Sequence, residues 1–247
     1  KNKIDFLTSP YDLKYVDDVK NYVEAYKIGS GDINWREIIT KISNKKKPVI
    51  LATGASNFNE VKNTVELILQ KNKQLVLMQC NTNYTFDENN FNYINLNVLK
   101  LYQKTFKNKV ILGLSDHTQG HSTVLGAVSL GARVVEKHFT DSNKRKGPDH
   151  YFSMNPISWK SMVQETRRLE KALGYKKKII EKNEIKTSFI QRRGSYANKN
   201  IKKNQVIKFE DIIFLRPYFK GSISPFTNKK SFGKAKKKIN KDQFIFA

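Results

Sequence analysis

The four histidines of this chain all fall between positions 117 and 150. His117 lies in Gly113-Leu-Ser-Asp-His-Thr118 and His138 in Val135-Glu-Lys-His-Phe139, each just beyond a β-prone run. On neighbouring strand ends, two imidazoles could share a divalent metal, and nitrogen donors suit Mn, Fe, Co or Zn. From spacing alone the plainer reading is that they are hydrogen-bonded residues at a sheet margin, because two histidines lack the density of an H-E-x-x-H helix. His121 and His150 read as solvated or supporting residues. Lys27 interrupts an otherwise apolar run, Ala25-Tyr-Lys-Ile-Gly-Ser30. An unpaired charge there is costly unless it meets an anion or snorkels to water. A Schiff-base role would need a depressed amine pKa, whereas charge pairing needs none. Thr8, Ser30 and Ser115 could add neutral donors, and together these groups suit a small, doubly anionic substrate.

Glu136 shares a strand face with His138, while Lys137 points the other way and outward. Glu136 could be a ligand, a base, a group that orients substrate, or the salt-bridge partner of Lys27. In Lys144-Arg-Lys-Gly-Pro-Asp-His150, a rigid Gly-Pro turn either presents Asp149 to the same rim or forms an ordinary exposed loop.

The elements that must position these residues read as alternating β and α. Apolar runs at Asp5–Thr8, Tyr26–Gly29, Pro48–Thr53, Leu75–Cys80, Val110–Leu114 and Arg133–Phe139 predict strands buried on both faces of a parallel sheet. Helical periodicity follows at Leu13–Tyr22, Trp35–Lys45, Asn59–Gln70, Leu96–Phe106, Thr123–Leu130 and Ile157–Leu173. Every strand runs into polar residues at its C-terminal end, which favours the catalytic ring of a β/α barrel over the single switch point of a doubly wound sheet. Neither G-x-G-x-x-G after a strand nor G-x-x-x-x-G-K-[ST] occurs, so the usual nucleotide loops are absent. A closed barrel needs eight strands, and the pattern supplies six.

Composition narrows the classes further. At 247 residues, 38% hydrophobic and 28% charged, the chain is large enough for a sizeable core and is not low-complexity. A lone Cys80 forbids an internal disulfide, and no leader or membrane-length apolar run is visible, so a cytoplasmic protein is expected. The net charge of +24 comes mainly from Lys, 38 residues against 8 Arg, alongside 24 Asn. That bias is what an AT-rich genome writes onto an exposed surface. Residues 171–247 hold 21 basic and 5 acidic residues, so the surplus is C-terminal. The expected organisation is a catalytic domain at 1–174, a linker at 175–187 and a small β-rich domain at 188–247. Within the last, Ile201-Lys-Lys-Asn-Gln-Val-Ile207 is echoed by Ile239-Asn-Lys-Asp-Gln-Phe-Ile245, which predicts pseudo-symmetric halves.

Several motifs in this order resemble the sialic acid (nonulosonate) synthase family. They are Phe6-Leu-Thr-Ser-Pro-Tyr-Asp12, Tyr26-Lys-Ile-Gly-Ser-Gly-Asp32, Ile50-Leu-Ala-Thr-Gly54, Gln79-Cys-Asn-Thr-Asn-Tyr84, Gly113–Thr118, Glu136-Lys-His-Phe-Thr140 and Gly147-Pro-Asp-His150. Arg192-Arg193, Ile201–Ile207 and Arg216-Pro217 resemble that family's antifreeze-like (SAF) domain. The resemblance implies a TIM-type (β/α)8 barrel plus SAF domain in a domain-swapped homodimer. It implies condensation of phosphoenolpyruvate with an N-acetylated hexosamine, N-acetylmannosamine or a diacetamido-trideoxyhexose, with phosphate released by C–O cleavage. By motif, His117 and His138 would hold a divalent metal, Mn or Mg. Thr8, Lys27, Ser30, Thr82 and Ser115 would surround phosphoenolpyruvate, Glu136, Tyr84 and Asp149 would face the sugar, and Arg216 would reach it from the partner. Catalytic roles fall on Glu136, Lys27 and Tyr84.

Thr82 stands where many members have Asn, Ala52 where some have Ser, and Asn83-Tyr84-Thr85 replaces the commoner x-Tyr-Pro. These departures suggest a subgroup using a modified hexosamine, as legionaminic-type synthases do. The family's first two strands have no counterpart here, so residues 1–247 alone are expected to form an incomplete, inactive barrel. Competing readings are another phosphoenolpyruvate-dependent sugar-acid synthase, which would lack the SAF-like region, and a pseudoenzyme. A nucleic-acid-binding protein using Tyr218, Phe219, Phe226 and Phe232 among the C-terminal charges is the third, disfavoured alternative. Neither nucleic acid nor membrane is an expected partner.

Overall fold

The computed structural model describes residues 4–246, and the chain divides into two compact units at Gly174/Tyr175. In the first unit, α1 (Leu13–Asp18) precedes five strand–helix repeats. These are β1 (Tyr26–Ile28) with α2 (Arg36–Asn44), β2 (Val49–Ala52) with α3 (Phe58–Lys71), and β3 (Leu75–Cys80) with α4 (Val98–Phe106). They continue with β4 (Ile111–Asp116) and α5 (Ser122–Ser129), then β5 (Val134–Lys137) and α6 (Pro156–Leu173). All five strands pair in parallel, in chain order. A doubly wound sheet reverses its order at a switch point, and this sheet does not.

The sheet is curled into a half-barrel. Its outer strands β1 and β5 carry Lys27 and Glu136, whose side chains meet at 3.1 Å. In a flat sheet, four spacings of ~4.8 Å would separate those backbones by ~19 Å, beyond the reach of the two side chains. Central β3 is buried at all six positions. The helices press apolar stripes onto this wall, Ile38, Ile39 and Ile42 from α2 and Val61, Val65 and Ile68 from α3. Asn57 and Glu60 form a capping box at the start of α3, and Asn155 and Ser158 do the same for α6. Each such cap contributes about 1 kcal/mol and fixes the angle at which the chain enters its helix.

The strand expected at Asp5–Thr8 is not formed. Only a single bridge joins Thr8 to Tyr26, and Ile4 and Phe6 are exposed. The run ends at Ser9-Pro10, where proline cannot donate to a ladder. The sheet therefore has five strands among the described residues, not six. β4 extends to Asp116, past the expected end at Leu114, while β5 stops at Lys137 and leaves His138 in the following loop. The helix expected over Leu13–Tyr22 ends at Asp18, and Lys47 Nζ donates to the Lys20 and Val23 carbonyls beyond it at 2.6 and 2.5 Å.

The second unit holds α7 (Ile185–Ile190) and two antiparallel pairs. These are β6 (Gly194–Ala197) with β8 (Ile212–Leu215), and β7 (Val206–Lys208) with β9 (Ser231–Lys234). Helix α7 crosses the point near residue 187 where the linker was expected to end. The sequence echo is a structural one. Ile201 and Ile239 exchange backbone hydrogen bonds at 2.8 and 2.9 Å. The Gln205 side chain accepts from Lys202 N at 3.0 Å, as Gln243 does from Asn240 N at 2.8 Å. Asn204 and Asp242 take matching left-handed φ values of 65° and 64°, a region their short polar side chains tolerate. Two copies of one turn thus bury Ala197, Ile201, Ile207, Ala235 and Ile245 in a single small core.

Candidate functional site

The C-terminal strand ends of the first unit converge on one mouth. β1 delivers Lys27, and Ser30 follows in a 3-10 turn whose hydroxyl accepts from Gly54 N at 2.8 Å. Gly54 is required there. A Cβ would lie 2.4 Å from Thr82 Cγ2, 3.0 Å from Ser30 Oγ and 3.1 Å from Cys80 Sγ. Ser115 on β4 pairs in register with Cys80 on β3 and is buried. Burial raises the Cys80 thiol pKa, against the Ser30 and Ser115 hydroxyls and the Lys27 charge, which favour the thiolate. A cation and two hydroxyls are thus gathered around one small polar hollow. Lys27, with its side chain 13% exposed, is paired to the half-exposed Glu136.

Beside this hollow stand the two imidazoles, with ring centroids 5.1 Å apart. His117 is buried, and its Nδ1–H donates to the Asn81 carbonyl at 2.7 Å, which makes Nε2 the lone-pair nitrogen. Burial also lowers the pKa of His117, keeping the ring neutral. His138 Nδ1 lies 3.4 Å from Asp149 Oδ2. His117 Nδ1 is thus hydrogen-bonded and His138 Nδ1 faces a carboxylate oxygen, which leaves each Nε2 as the candidate metal donor. This donor set fits a divalent cation whose other ligands are water or substrate oxygens. No group of three or more His, Cys, Asp or Glu able to hold a metal occurs among the described residues.

Tyr84 closes the aromatic wall, with its ring 4.3 Å from His117, 5.5 Å from His138 and 6.0 Å from Phe152. Its loop is held by side-chain amides. Asn81 donates to the Tyr93 carbonyl at 3.2 Å, and Asn83 to Asn90 Oδ1 at 3.1 Å. The turn carrying Asp149 is pinned by Asn143, which donates to the His150 and Ser153 carbonyls at 2.8 and 2.7 Å. His150 is itself hydrogen-bonded to Thr140 Oγ1 at 2.7 Å, a supporting role.

Lys27, Ser30, Thr82, Tyr84, Ser115, His117, Glu136, His138 and Asp149 are all at this mouth. Thr8 lies beside β1, and its backbone carbonyl accepts from Lys27 N at 3.2 Å. Arg216 belongs to the second unit, where its Nε donates to the Gln191 carbonyl. Lys137 points away from the mouth but not to water. It is buried against Asp116, which corrects its reading as an outward-facing residue. Residue types alone did not single out Cys80, Gly54, the Asn81 carbonyl or Phe152. The position of Cys80 at a strand end among polar neighbours was the available signal.

A model described as the NeuB family matches residues 1–178. The N,N'-diacetyllegionaminic acid synthase of Campylobacter jejuni is 34% identical over 99% of this chain and 73% of its own length. The solved N-acetylneuraminic acid (sialic acid) synthetase of Leptospira borgpetersenii superposes with a TM-score of 0.68 at 29% identity, over 74% of this chain and 63% of that one. A putative spore coat polysaccharide biosynthesis protein E of Chromobacterium violaceum shares the fold over 99% of this chain and 73% of that one, with a TM-score of 0.77 at 21% identity. The chain spans 60–73% of the length of the first three curated relatives it matches. With its motifs gathered at one mouth and the family model covering the whole first unit, the chain belongs to the NeuB family of sialic acid synthases.

Proposed function

We propose that this protein condenses phosphoenolpyruvate with the open-chain aldehyde of an N-acetylated hexosamine, giving a nonulosonic acid and inorganic phosphate. The observation that carries this reading is the junction of the Lys27–Ser30–Ser115 hollow with the His117–His138 pair. One half suits a small dianion and the other a polarised carbonyl. Phosphoenolpyruvate displaces Glu136 from Lys27, and Lys27 with the Ser30 and Ser115 hydroxyls holds its carboxylate and phosphate. C3 of phosphoenolpyruvate then bonds to the aldehyde carbon, and water captures the resulting oxocarbenium at C2. Collapse of that adduct breaks the C2–O bond and releases phosphate. Glu136, freed from its ion pair, takes the proton that the captured water loses, and the former aldehyde oxygen gains one to become a hydroxyl. A divalent cation, Mn or Mg, held by His117 and His138 would supply Lewis-acid polarisation of the aldehyde. Tyr84 and Asp149 form the sugar side of the mouth.

The legionaminic relative, together with Thr82, Ala52 and Asn83–Thr85, supports a diacetamido-trideoxyhexose over plain N-acetylmannosamine. The curled five-stranded wall is part of an eight-stranded barrel, and activity is assigned to that closed form. The second unit is an SAF domain that brings Arg216 to a partner's sugar site in a domain-swapped homodimer. Among the described residues no helix is long and apolar enough to cross a membrane.

The test uses the protein in its closed-barrel form, phosphoenolpyruvate labelled with 18O at its bridging oxygen, Mn2+, and each candidate hexosamine in turn. The expected result is a nine-carbon acid with the label leaving in phosphate. Label retained in the acid, or no sugar-dependent phosphate release, would overturn the reading.

A further inference from the structure

Behind the two imidazoles, on the helix-facing side of the sheet, lies a buried ionic knot that the proposed chemistry does not use. Asp116 ends β4, Lys137 ends β5, and the two are the last pair in register between those strands. Lys137 Nζ meets Asp116 Oδ2 at 2.6 Å, with the two side chains 2% and 0% exposed. Lys137 also donates to the Thr118 carbonyl at 2.6 Å. Thr118 N and its hydroxyl donate to Asp116 Oδ1 at 3.1 and 2.9 Å, and the Thr123 hydroxyl donates to Asp116 Oδ2 at 2.6 Å.

We infer that this knot is a positioning device that sets the spacing of His117 and His138. The placement makes the case. The knot holds the residue before His117 and the residue after it, and it anchors the residue between Glu136 and His138. The pairing of β4 with β5 ends at the knot, so beyond it no backbone bond between these two strands sets the spacing of the imidazoles, although the His138 carbonyl accepts from Met154 N at 2.9 Å on its other side. The energetics agree. A buried ion pair seldom stabilises a fold more than well-packed apolar groups of similar volume, because desolvating two charges offsets their attraction. What apolar packing lacks is direction. Here both carboxylate oxygens are hydrogen-bonded, so the bonds fix one register and one turn conformation.

The inference rests on the proposed metal reading of the two histidines, and the test separates the two ideas. Mn2+ binding to the protein is followed by calorimetry, alongside thermal unfolding without metal. Wild type should bind, and His117→Ala and His138→Ala should each abolish binding. If wild type does not bind, or the histidine variants bind as it does, the metal reading fails and the purpose assigned to the knot fails with it. If binding depends on the histidines, the double variant Asp116→Leu with Lys137→Met decides the inference. It should unfold within a few degrees of wild type yet bind Mn2+ about tenfold or more weakly, in the range that supporting groups around metal ligands command. Affinity within twofold of wild type would overturn the positioning role. Should the double variant not fold, Thr123→Val answers instead. It should weaken Mn2+ binding several-fold and Thr123→Ser should restore it, whereas unchanged binding in Thr123→Val overturns the inference.

Discussion

Glu136 and Lys137 are adjacent in the chain, and each belongs to a lysine–carboxylate pair, yet the two pairs are built for different work. Lys27–Glu136 faces the mouth at 3.1 Å, with the carboxylate side chain 47% exposed. Lys137–Asp116 faces the helices at 2.6 Å, sealed from water, with its remaining lone pairs satisfied by threonines. A half-exposed pair is worth about 0–1 kcal/mol and exchanges readily for another partner. A sealed pair cannot lose one member cheaply, since the other is then stranded. Alternation along one strand is enough to place an exchangeable charge and a fixed one side by side.

The largest effect should come from the exchangeable pair. In the closed-barrel form, Lys27→Ala should lower kcat/KM for phosphoenolpyruvate by roughly 10³, the scale of losing a main electrostatic contact in a catalytic site. Its denaturation midpoint should stay near wild type, and a large fall in stability would show that Lys27 is structural. The sealed pair predicts the reverse balance. Asp116→Ala should cost about 3–5 kcal/mol in urea unfolding, because it leaves Lys137 buried and unpaired. A loss below about 1 kcal/mol would place that pair in the same surface-like class as Lys27–Glu136.

A smaller effect is expected where the hollow is tight. Gly54→Ala pushes a methyl against Thr82, Ser30 and Cys80, at a cost of about 1–3 kcal/mol if the neighbours must shift. The expected signature is a raised KM for phosphoenolpyruvate with kcat changed less. A KM equal to wild type would mean that the hollow does not hold this substrate.

The smallest effect concerns Cys80. Its thiol pKa is raised by burial, so the native thiol stays protonated above the pH at which an unfolded cysteine ionises. Ionisation of the unfolded chain therefore lowers stability as pH rises through about 9, and the contribution is intact below that. Alkylation at pH 8.5 should be slow in the native protein, slower still with phosphoenolpyruvate bound, and fast in urea. Ligand-independent alkylation would separate Cys80 from the site.

Much of this was legible in the sequence because strand and helix periods differ and strand ends announce themselves by polarity. Lys27 was marked by being polar in an apolar run, and His117, Glu136 and His138 by standing where apolar runs give way to polar residues. The Lys27–Glu136 contact was one of the alternatives left open for Glu136, and only the curl of the sheet decides it. The Asp116–Lys137 knot was not legible. Periodicity assigns Lys137 to the face opposite Glu136, but it does not say whether water or a carboxylate waits there. The contact between Asp149 and His138 depends on how the turn at Gly147–His150 folds back, which spacing does not encode. The strand expected at Asp5–Thr8 reaches β1 only through the single bridge from Thr8 to Tyr26, because Ser9-Pro10 ends the run there. In the second unit the echo was visible as letters, and the left-handed Asn204 and Asp242 explain why those letters recur.

Calorimetric binding of phosphoenolpyruvate to wild type, Lys27→Gln and Glu136→Gln tests the central claim most directly. If Lys27 is handed from Glu136 to the substrate anion, Lys27→Gln should bind far more weakly than wild type. Glu136→Gln, which removes the competing internal anion, should bind as tightly or more tightly. Weakening of comparable size in both variants would contradict the account, because Glu136 would then support the substrate's site instead of vacating it.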